Sequence, residues 1–358
     1  MAGEGCRRMA WASRERSLYP SHHHSPPSRA DIQHTCTHFH LFSHRCLCPV
    51  DPHNRTGTVE FLLLGFSDDP QVQLLLSCLF LSMYLVTITG NLLIILVVIS
   101  DSHLHIPMYF FLSNLSVADI GFTSTTVPKV IWDINTQSRI ISYAGCLVQF
   151  SLFYSFVCLD SVILTVMAYD RFVAICHPLH YSVIMNPHFC YLLLLLSVGI
   201  SLLDSQLHCL MISMLTFCAH VEIPHFFCDP PQLLRLACGD TSTANLLLCL
   251  IAAIFGGVPV SGIFYSYTRI VSSVMRVSST GGRYKAFSTC GSHLSIVCLF
   301  YGTAVGVYLS YAVSHSPRNV ALTSIVYSMV VPLLNPFIYS LRNKDLQRAF
   351  QKLLRRTA

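Results

Sequence analysis

Charge is scarce in this sequence. Of 358 residues, only 11% are Asp, Glu, Lys or Arg, while 53% are apolar. A soluble domain carries roughly 25% charged residues, and a large soluble core would still need a charged surface. The deficit therefore excludes an ordinary soluble globule and implies that much of the surface faces lipid. The formal net charge of +5 acquires meaning only once the charges are placed along the chain. No CxxC pairs stand at zinc-module spacing. The 16 cysteines are too dilute for a disulfide scaffold, and many, such as Cys78, Cys158, Cys249 and Cys298, lie within apolar runs as small hydrophobes. Residues 1–53 hold no long apolar run, so they read as neither a signal peptide nor a span. Nothing in the sequence points to nucleic-acid binding.

What is present is a series of long apolar runs. Crossing the hydrocarbon layer takes about 20 mostly apolar residues. Gln71 to Ser100 contains no charge at all. Further spans are expected from about Met108 to Ile131, Tyr143 to Ile175, Phe189 to Met211, Asn245 to Ile270, Ala286 to Tyr311 and Val320 to Leu341. The fold class is thus an all-α membrane protein, a seven-transmembrane helix bundle, with the two termini on opposite sides. Its parts are a tail over 1–60, a helical domain over 61–341 and a C-terminal segment over 342–358.

Lysine and arginine in short loops set the orientation. One side holds Arg171, Arg276, Arg283, Lys285, Arg342, Lys344, Arg348, Lys352, Arg355 and Arg356; the other, counted from the start of the first span, holds only Lys129, Arg139, Arg235 and Arg318. The C-terminus is expected in the cytoplasm and the N-terminus outside, where Asn54-Arg55-Thr56 forms a glycosylation sequon. After the last span, Leu346, Phe350, Leu353 and Leu354 recur at helical spacing between basic residues. That pattern suits a short amphipathic helix lying on membrane lipids. The tail reads as disordered, with a His/Cys cluster (His34, Cys36, His38, His40, His44, Cys46, Cys48) that fits no compact zinc module. Its Arg7, Arg8, Arg14, Arg16, Arg29 and Arg45 oppose export. It is either an awkward tail of the working protein or upstream sequence the protein does not need.

Charges inside spans cost at least about 2.5–3.5 kcal/mol each on insertion scales, so they indicate function by default. Asp119 and Asp160 are the two deepest. Two adjacent carboxylates do not readily both ionise, so a sodium ion or a shared proton between them is expected. Asp170-Arg171 stands at the cytoplasmic end of the third span. An arginine held by its neighbour and released on activation would act as a switch. In the seventh span, Pro336 removes a backbone hydrogen bond and permits a kink, Asn335 can bond the freed groups, and Tyr339 lies one turn below. Cys146, Cys218, Cys228 and Cys238 face an oxidising compartment, where two disulfides can form in any of three connectivities.

Several segments together resemble the olfactory receptors, class A G-protein-coupled receptors, and within them family 7. They are Phe61-Leu62-Leu63-Leu64-Gly65-Phe66, Gly90-Asn91, Pro107-Met108-Tyr109-Phe110-Phe111-Leu112-Ser113-Asn114-Leu115-Ser116, and the stretch from Met167 to Tyr181. Ser266-Tyr267, Lys285-Ala286-Phe287-Ser288-Thr289-Cys290 and the run from Asn335 to Asn343 complete the set. The resemblance implies disulfides Cys146–Cys228 and Cys218–Cys238. It implies that Arg171, restrained by Asp170, enters the G-protein contact, with Tyr267 and Tyr339 meeting near it in the active state. It also strengthens the cation-site reading of Asp119 and Asp160. The implied partners are a small volatile odorant and the olfactory stimulatory heterotrimeric G protein, which raises cyclic AMP, at the plasma membrane.

An odorant pocket is expected in the outer half of the bundle. Phe153, Tyr154, Val157, Cys158 and Ser161 share one face of the third span; Tyr301, Ala304, Val305 and Tyr308 share one face of the sixth. Such an aromatic and apolar lining, with few polar anchors, suits a small hydrophobic ligand held weakly. The fourth span departs from the family in having Val198 near the usual tryptophan and Asp204 near its outer end, where the carboxylate is expected to need water. Three rival functions leave different marks. A transporter would show internal repeats, which are missing. A membrane enzyme would need paired catalytic groups at one depth, whereas His293 reads as isolated. A receptor-shaped chain that no longer signals would keep every one of these motifs.

Overall fold

The computed structural model describes residues 60–65, 69–217, 221–276, 280–313 and 317–357. Asn54, Cys218 and the whole tail over 1–59 lie outside the described residues.

Seven long helices follow one another. They are α1 (Pro70–Ser100), α2 (Pro107–Thr136), α3 (Tyr143–Cys176), α4 (Pro187–Ser213), α5 (Ser242–Met275), α6 (Thr280–Val313) and α7, which runs through Pro317–Ile325, Val326–Val330 and Val331–Arg342. An eighth, α8 (Lys344–Thr357), follows at once. All but α2 and α8 are long and apolar enough by composition alone to cross a membrane. α2 is 30 residues long and carries Asp119, Lys129 and Asp133 together with several serines, threonines and asparagines, which lower its hydropathy.

Local chemistry sets the starts of these helices. Pro70 opens α1, and the Asp69 carboxylate accepts from the Gln71 amide at 2.9 Å. Pro187 opens α4, where Asn186 Oδ1 accepts from the Phe189 amide at 2.9 Å. Ser142 caps α3 through the Gly145 amide at 3.1 Å. Proline at the first position and a short polar cap before it are the ordinary helix start. Each helix begins or ends a residue or more beyond the span read from hydropathy.

The side chains are distributed inside out. Leu74, Leu75, Ile99, Leu195 and Phe264 are exposed, while Asn91, Asp119, Asp160, Ser197 and Ser201 are buried. In water this arrangement would be unstable; with lipid outside, it keeps polar groups where they find partners. Close packing holds the bundle. A Cβ on Gly121 of α2 would fall 2.2 Å from Phe156 Cζ of α3, so only glycine admits that ring. Gly90 lets α1 meet α7, since a Cβ there would lie 3.2 Å from the Pro336 ring. Beside it, Asn91 Nδ2 donates to the Thr87 carbonyl at 3.0 Å and to the Pro332 carbonyl at 3.4 Å.

At one end, three short strands form a sheet ordered β2-β1-β3. β1 (Glu60–Leu63) pairs antiparallel with β2 (Ile140–Ser142), Phe61 opposite Ile141, and parallel with β3 (Val221–Ile223), Leu63 opposite Ile223. A disulfide between Cys146 and Cys228, 82 residues apart, ties the start of α3 to the segment after β3. We call this the cap end. At the other end, Asn343 Oδ1 accepts from the amides of Asp345 (3.0 Å) and Leu346 (3.2 Å) and so caps α8. Leu346 and Ala349 of α8 are buried against the bundle.

Candidate functional site

At the α8 end, Asp170 and Arg171 form a local pair. Arg171 Nε donates to Asp170 Oδ2 at 3.0 Å, and Nη2 donates to the same oxygen. The other oxygen, Oδ1, accepts from the Tyr181 hydroxyl at 2.7 Å. Both residues of the pair are buried. Tyr181, which no sequence motif marks out, completes the hydrogen bonding of the carboxylate that holds the arginine.

Above this pair sits a second lock, which corrects the reading of His293 as isolated. Its Nε2 lies 3.0 Å from the Leu164 carbonyl of α3, and its Nδ1 lies 2.7 Å from the Tyr267 hydroxyl of α5. A carbonyl only accepts, so Nε2 carries the proton and Nδ1 accepts from Tyr267. Three helices meet at one imidazole. Tyr339 points its hydroxyl at Met167 Sδ, 3.9 Å away. Tyr267 and Tyr339 are thus each engaged elsewhere in this structure, not with Arg171.

Deeper in the bundle, Asn335 Nδ2 donates to both carboxylate oxygens of Asp119, each at 3.0 Å. Asp160, on the neighbouring helix and near enough to repel Asp119, buries an Oδ1 that has no hydrogen-bond partner. The structure therefore joins Asn335 of α7 to Asp119 of α2, with Asp160 buried on the neighbouring α3. Pro336, next to Asn335, packs on Gly90 of α1.

Toward the cap lies a small cavity of ≈ 50 Å³. Of the nine residues expected to line a pocket, Phe153, Tyr154, Val157, Ala304 and Tyr308 lie in its wall. The other four do not. Ser161 and Tyr301 bond one another at 2.7 Å, Cys158 is buried, and Val305 is 55% exposed on the outer face of α6. The sequence reading missed Phe227, Tyr311, Tyr327 and above all Asp229, which brings a carboxylate into this lining. The signal was present: Asp229 follows Cys228, and a bond from Cys228 to Cys146 holds Asp229 over the bundle.

The Asp229 side chain is 7% exposed. It accepts from the Tyr311 hydroxyl and is also bonded by Tyr154. Burial pushes its pKa up to about 6, against the lowering effect of those two hydroxyls. Asp204 of α4, which would cost insertion energy unless it reached water, does not reach it. It is buried; His208 Nδ1 lies 3.2 Å from its Oδ1 but 3.0 Å from its backbone carbonyl, and Oδ1 itself has no hydrogen-bond partner among the described residues, while the His208 ring packs on Tyr154 at 4.5 Å. Val198 faces outward, 38% exposed, so nothing inside the bundle rests on it. Beside Cys218, which lies outside the described residues, Thr216 Oγ1 donates to the Cys238 carbonyl at 2.8 Å.

Seven long helices, a disulfide-tied cap, a cavity beneath it and a buried arginine at the far end define a seven-helix membrane protein of the rhodopsin fold. Squid rhodopsin superposes with a TM-score of 0.65, covering 81% of this chain and 87% of that one at 17% identity. The particular family follows from sequence: the olfactory receptor model matches residues 80–357, and the chain belongs to the olfactory receptor family. Mouse olfactory receptor 7E178 is 64% identical over 87% of this chain and 94% of its own length. Human olfactory receptor 7E24 is 62% identical over 88% and 93%. The family is one of receptors, not enzymes.

Proposed function

We propose that this chain is an odorant receptor that takes a small volatile, largely hydrophobic molecule into the cavity beneath the cap. It then activates a stimulatory heterotrimeric G protein at the Arg171 end and raises cyclic AMP. The observation that carries this reading is the pairing of a cavity at one end with a restrained, buried arginine at the other, in a chain of this family. The cavity as it stands is smaller than the ~300–1,000 Å³ of usual ligand sites, so a ligand must spread its walls. That movement is the input. α6 contributes both to the cavity wall and, through His293, to the lock among α3, α5 and α6, so spreading the wall strains the lock. Release of Tyr267 and Arg171 is the output.

In this reading the cap faces outside, α8 lies on the inner leaflet of the plasma membrane, and Asn54 carries a glycan. Asp119 and Asp160 hold a sodium ion or a shared proton, supported by the partnerless Oδ1 of Asp160. Such an ion supplies the charge that two buried carboxylates lack.

The test is an odorant panel read by cyclic AMP in cells displaying the chain. Arg171→Ala is expected to abolish any ligand-driven rise while surface display persists. An unchanged response in that variant would remove the arginine from the proposed mechanism. A panel that stays silent at full surface display would favour a receptor-shaped chain that no longer signals.

A further inference from the structure

The odorant cavity is not the plain apolar hollow its helical stripes suggest. One buried carboxylate, Asp229, stands in its wall, and four tyrosines, Tyr154, Tyr308, Tyr311 and Tyr327, stand around it. Among the described residues no lysine, arginine or histidine forms an ion pair with Asp229. Arg235, on the short helix that Asp229 precedes, is committed elsewhere: its Nη2 donates to the Tyr311 backbone carbonyl at 2.7 Å, and its Cζ lies 5.8 Å from the Tyr311 ring. His225 turns to Ser324 at 3.1 Å. A buried carboxylate without a counter-cation is costly, and a wall of electron-rich rings is the usual company of an organic cation.

We propose that Asp229 and the surrounding tyrosines form a subsite for the ammonium head of a small primary alkylamine. The proposal rests on the odorant-receptor reading above and names its ligand class. The ammonium donates to Asp229 and sets its charge against the tyrosine rings, while the alkyl chain lies along Phe153 and Val157. Size fits the head: one water needs about 10–15 Å³ of probe volume, so the ≈ 50 Å³ here admits a group of a few heavy atoms. Tyr311 and Tyr154, already bonded to the carboxylate, hold it in the wall and keep it from turning toward solvent. A neutral alcohol or aldehyde of the same length offers Asp229 one hydroxyl donor or none, and leaves its charge unmatched.

The experiment uses the full chain and three probes of one length: n-propylamine, 1-propanol and propanal. It has two readouts, cyclic AMP in cells with matched surface display and thermal stabilisation of the purified chain. The expected result is an amine potency at least tenfold above the alcohol and the aldehyde, with the amine-to-alcohol ratio falling to near one in Asp229→Asn. Asp229→Glu, which keeps the charge, retains a ratio above one; it and Tyr311→Phe provide the comparison if Asp229→Asn does not reach the surface. Equal potency of the three probes, or an amine preference that survives in Asp229→Asn, overturns the proposal. Stabilisation by the amine with no cyclic AMP supports the subsite and counts against the coupling reading. Stabilisation by none of the probes overturns the subsite and leaves the coupling reading to the odorant panel.

Discussion

Asp170 accepts from Arg171 on one oxygen and from Tyr181 on the other, so the hydroxyl fixes the carboxylate that fixes the arginine. Hydrogen bonds to a charged group contribute about 1.5–3 kcal/mol. Tyr181→Phe removes one such bond while keeping the ring, and is expected to raise ligand-independent cyclic AMP roughly tenfold, since about 1.4 kcal/mol is a factor of ten in population. The check is basal cyclic AMP normalised to surface display; an unchanged basal level would mean that Tyr181 does not restrain the switch. Asp229 makes the opposite kind of prediction. Its pKa is raised from 3.8 to about 6 by burial, so folding favours the neutral carboxyl. Its contribution to stability is therefore complete below pH about 3.8 and is lost as pH rises through about 6. Asp229→Asn should leave the melting temperature at pH 8 equal to or above that of the parent chain, and should flatten this part of its pH dependence. A clear fall at pH 8 would show that the charge itself supports the cap.

Among the helices, the contact between α2 and α3 at Gly121 and Phe156 is the tightest that a glycine allows. Gly121→Ala is expected to cost about 1–3 kcal/mol through overpacking, seen as a lower melting temperature, and the second change Phe156→Leu should restore most of it. Failure of that rescue would place the strain in the backbone and not the ring. The elements were largely legible beforehand. Apolar runs such as 71–100 allow only a spanning helix, and the basic spacing around Leu346, Phe350 and Leu354 allows only a surface one. What hydropathy does not encode is which polar side chains meet across helices. Asp204 stays buried with one carboxylate oxygen unpartnered among the described residues, and only the placement of His208 one turn on, bonded to the Asp204 backbone carbonyl, lay beyond hydropathy. His293 looked isolated because its partners, Leu164 and Tyr267, lie 129 and 26 residues away. The π-helical turns at Ala252–Gly256 and Val326–Val330 carry no compositional mark either. Of the expected pocket face, the residues toward the cap reached the cavity and Val305 turned outward, because a stripe at helical spacing fixes a face but not its direction.

For the molecule as a whole, apolar outside and polar inside mean that its solvent is the bilayer. Orientation then becomes measurable. Both the full chain and one beginning at His53 with an added initiator should show a mobility shift on endoglycosidase treatment, and Asn54→Gln should abolish it. A shift only in the shorter chain would mark residues 1–52 as an obstacle to export. No shift in either would reverse or void the orientation drawn from the lysine and arginine count.

The bond between Cys146 and Cys228 also sets a clock. Its two halves are separated by 82 residues that include all of α4. At about 5–20 residues per second of synthesis, the second thiol leaves the ribosome roughly 4–16 s after the first. Until then Cys146 waits as a free thiol at the head of α3, and neither the cap nor the position of Asp229 exists. Closure therefore requires that the head of α3 and the segment after α4 have reached the same side.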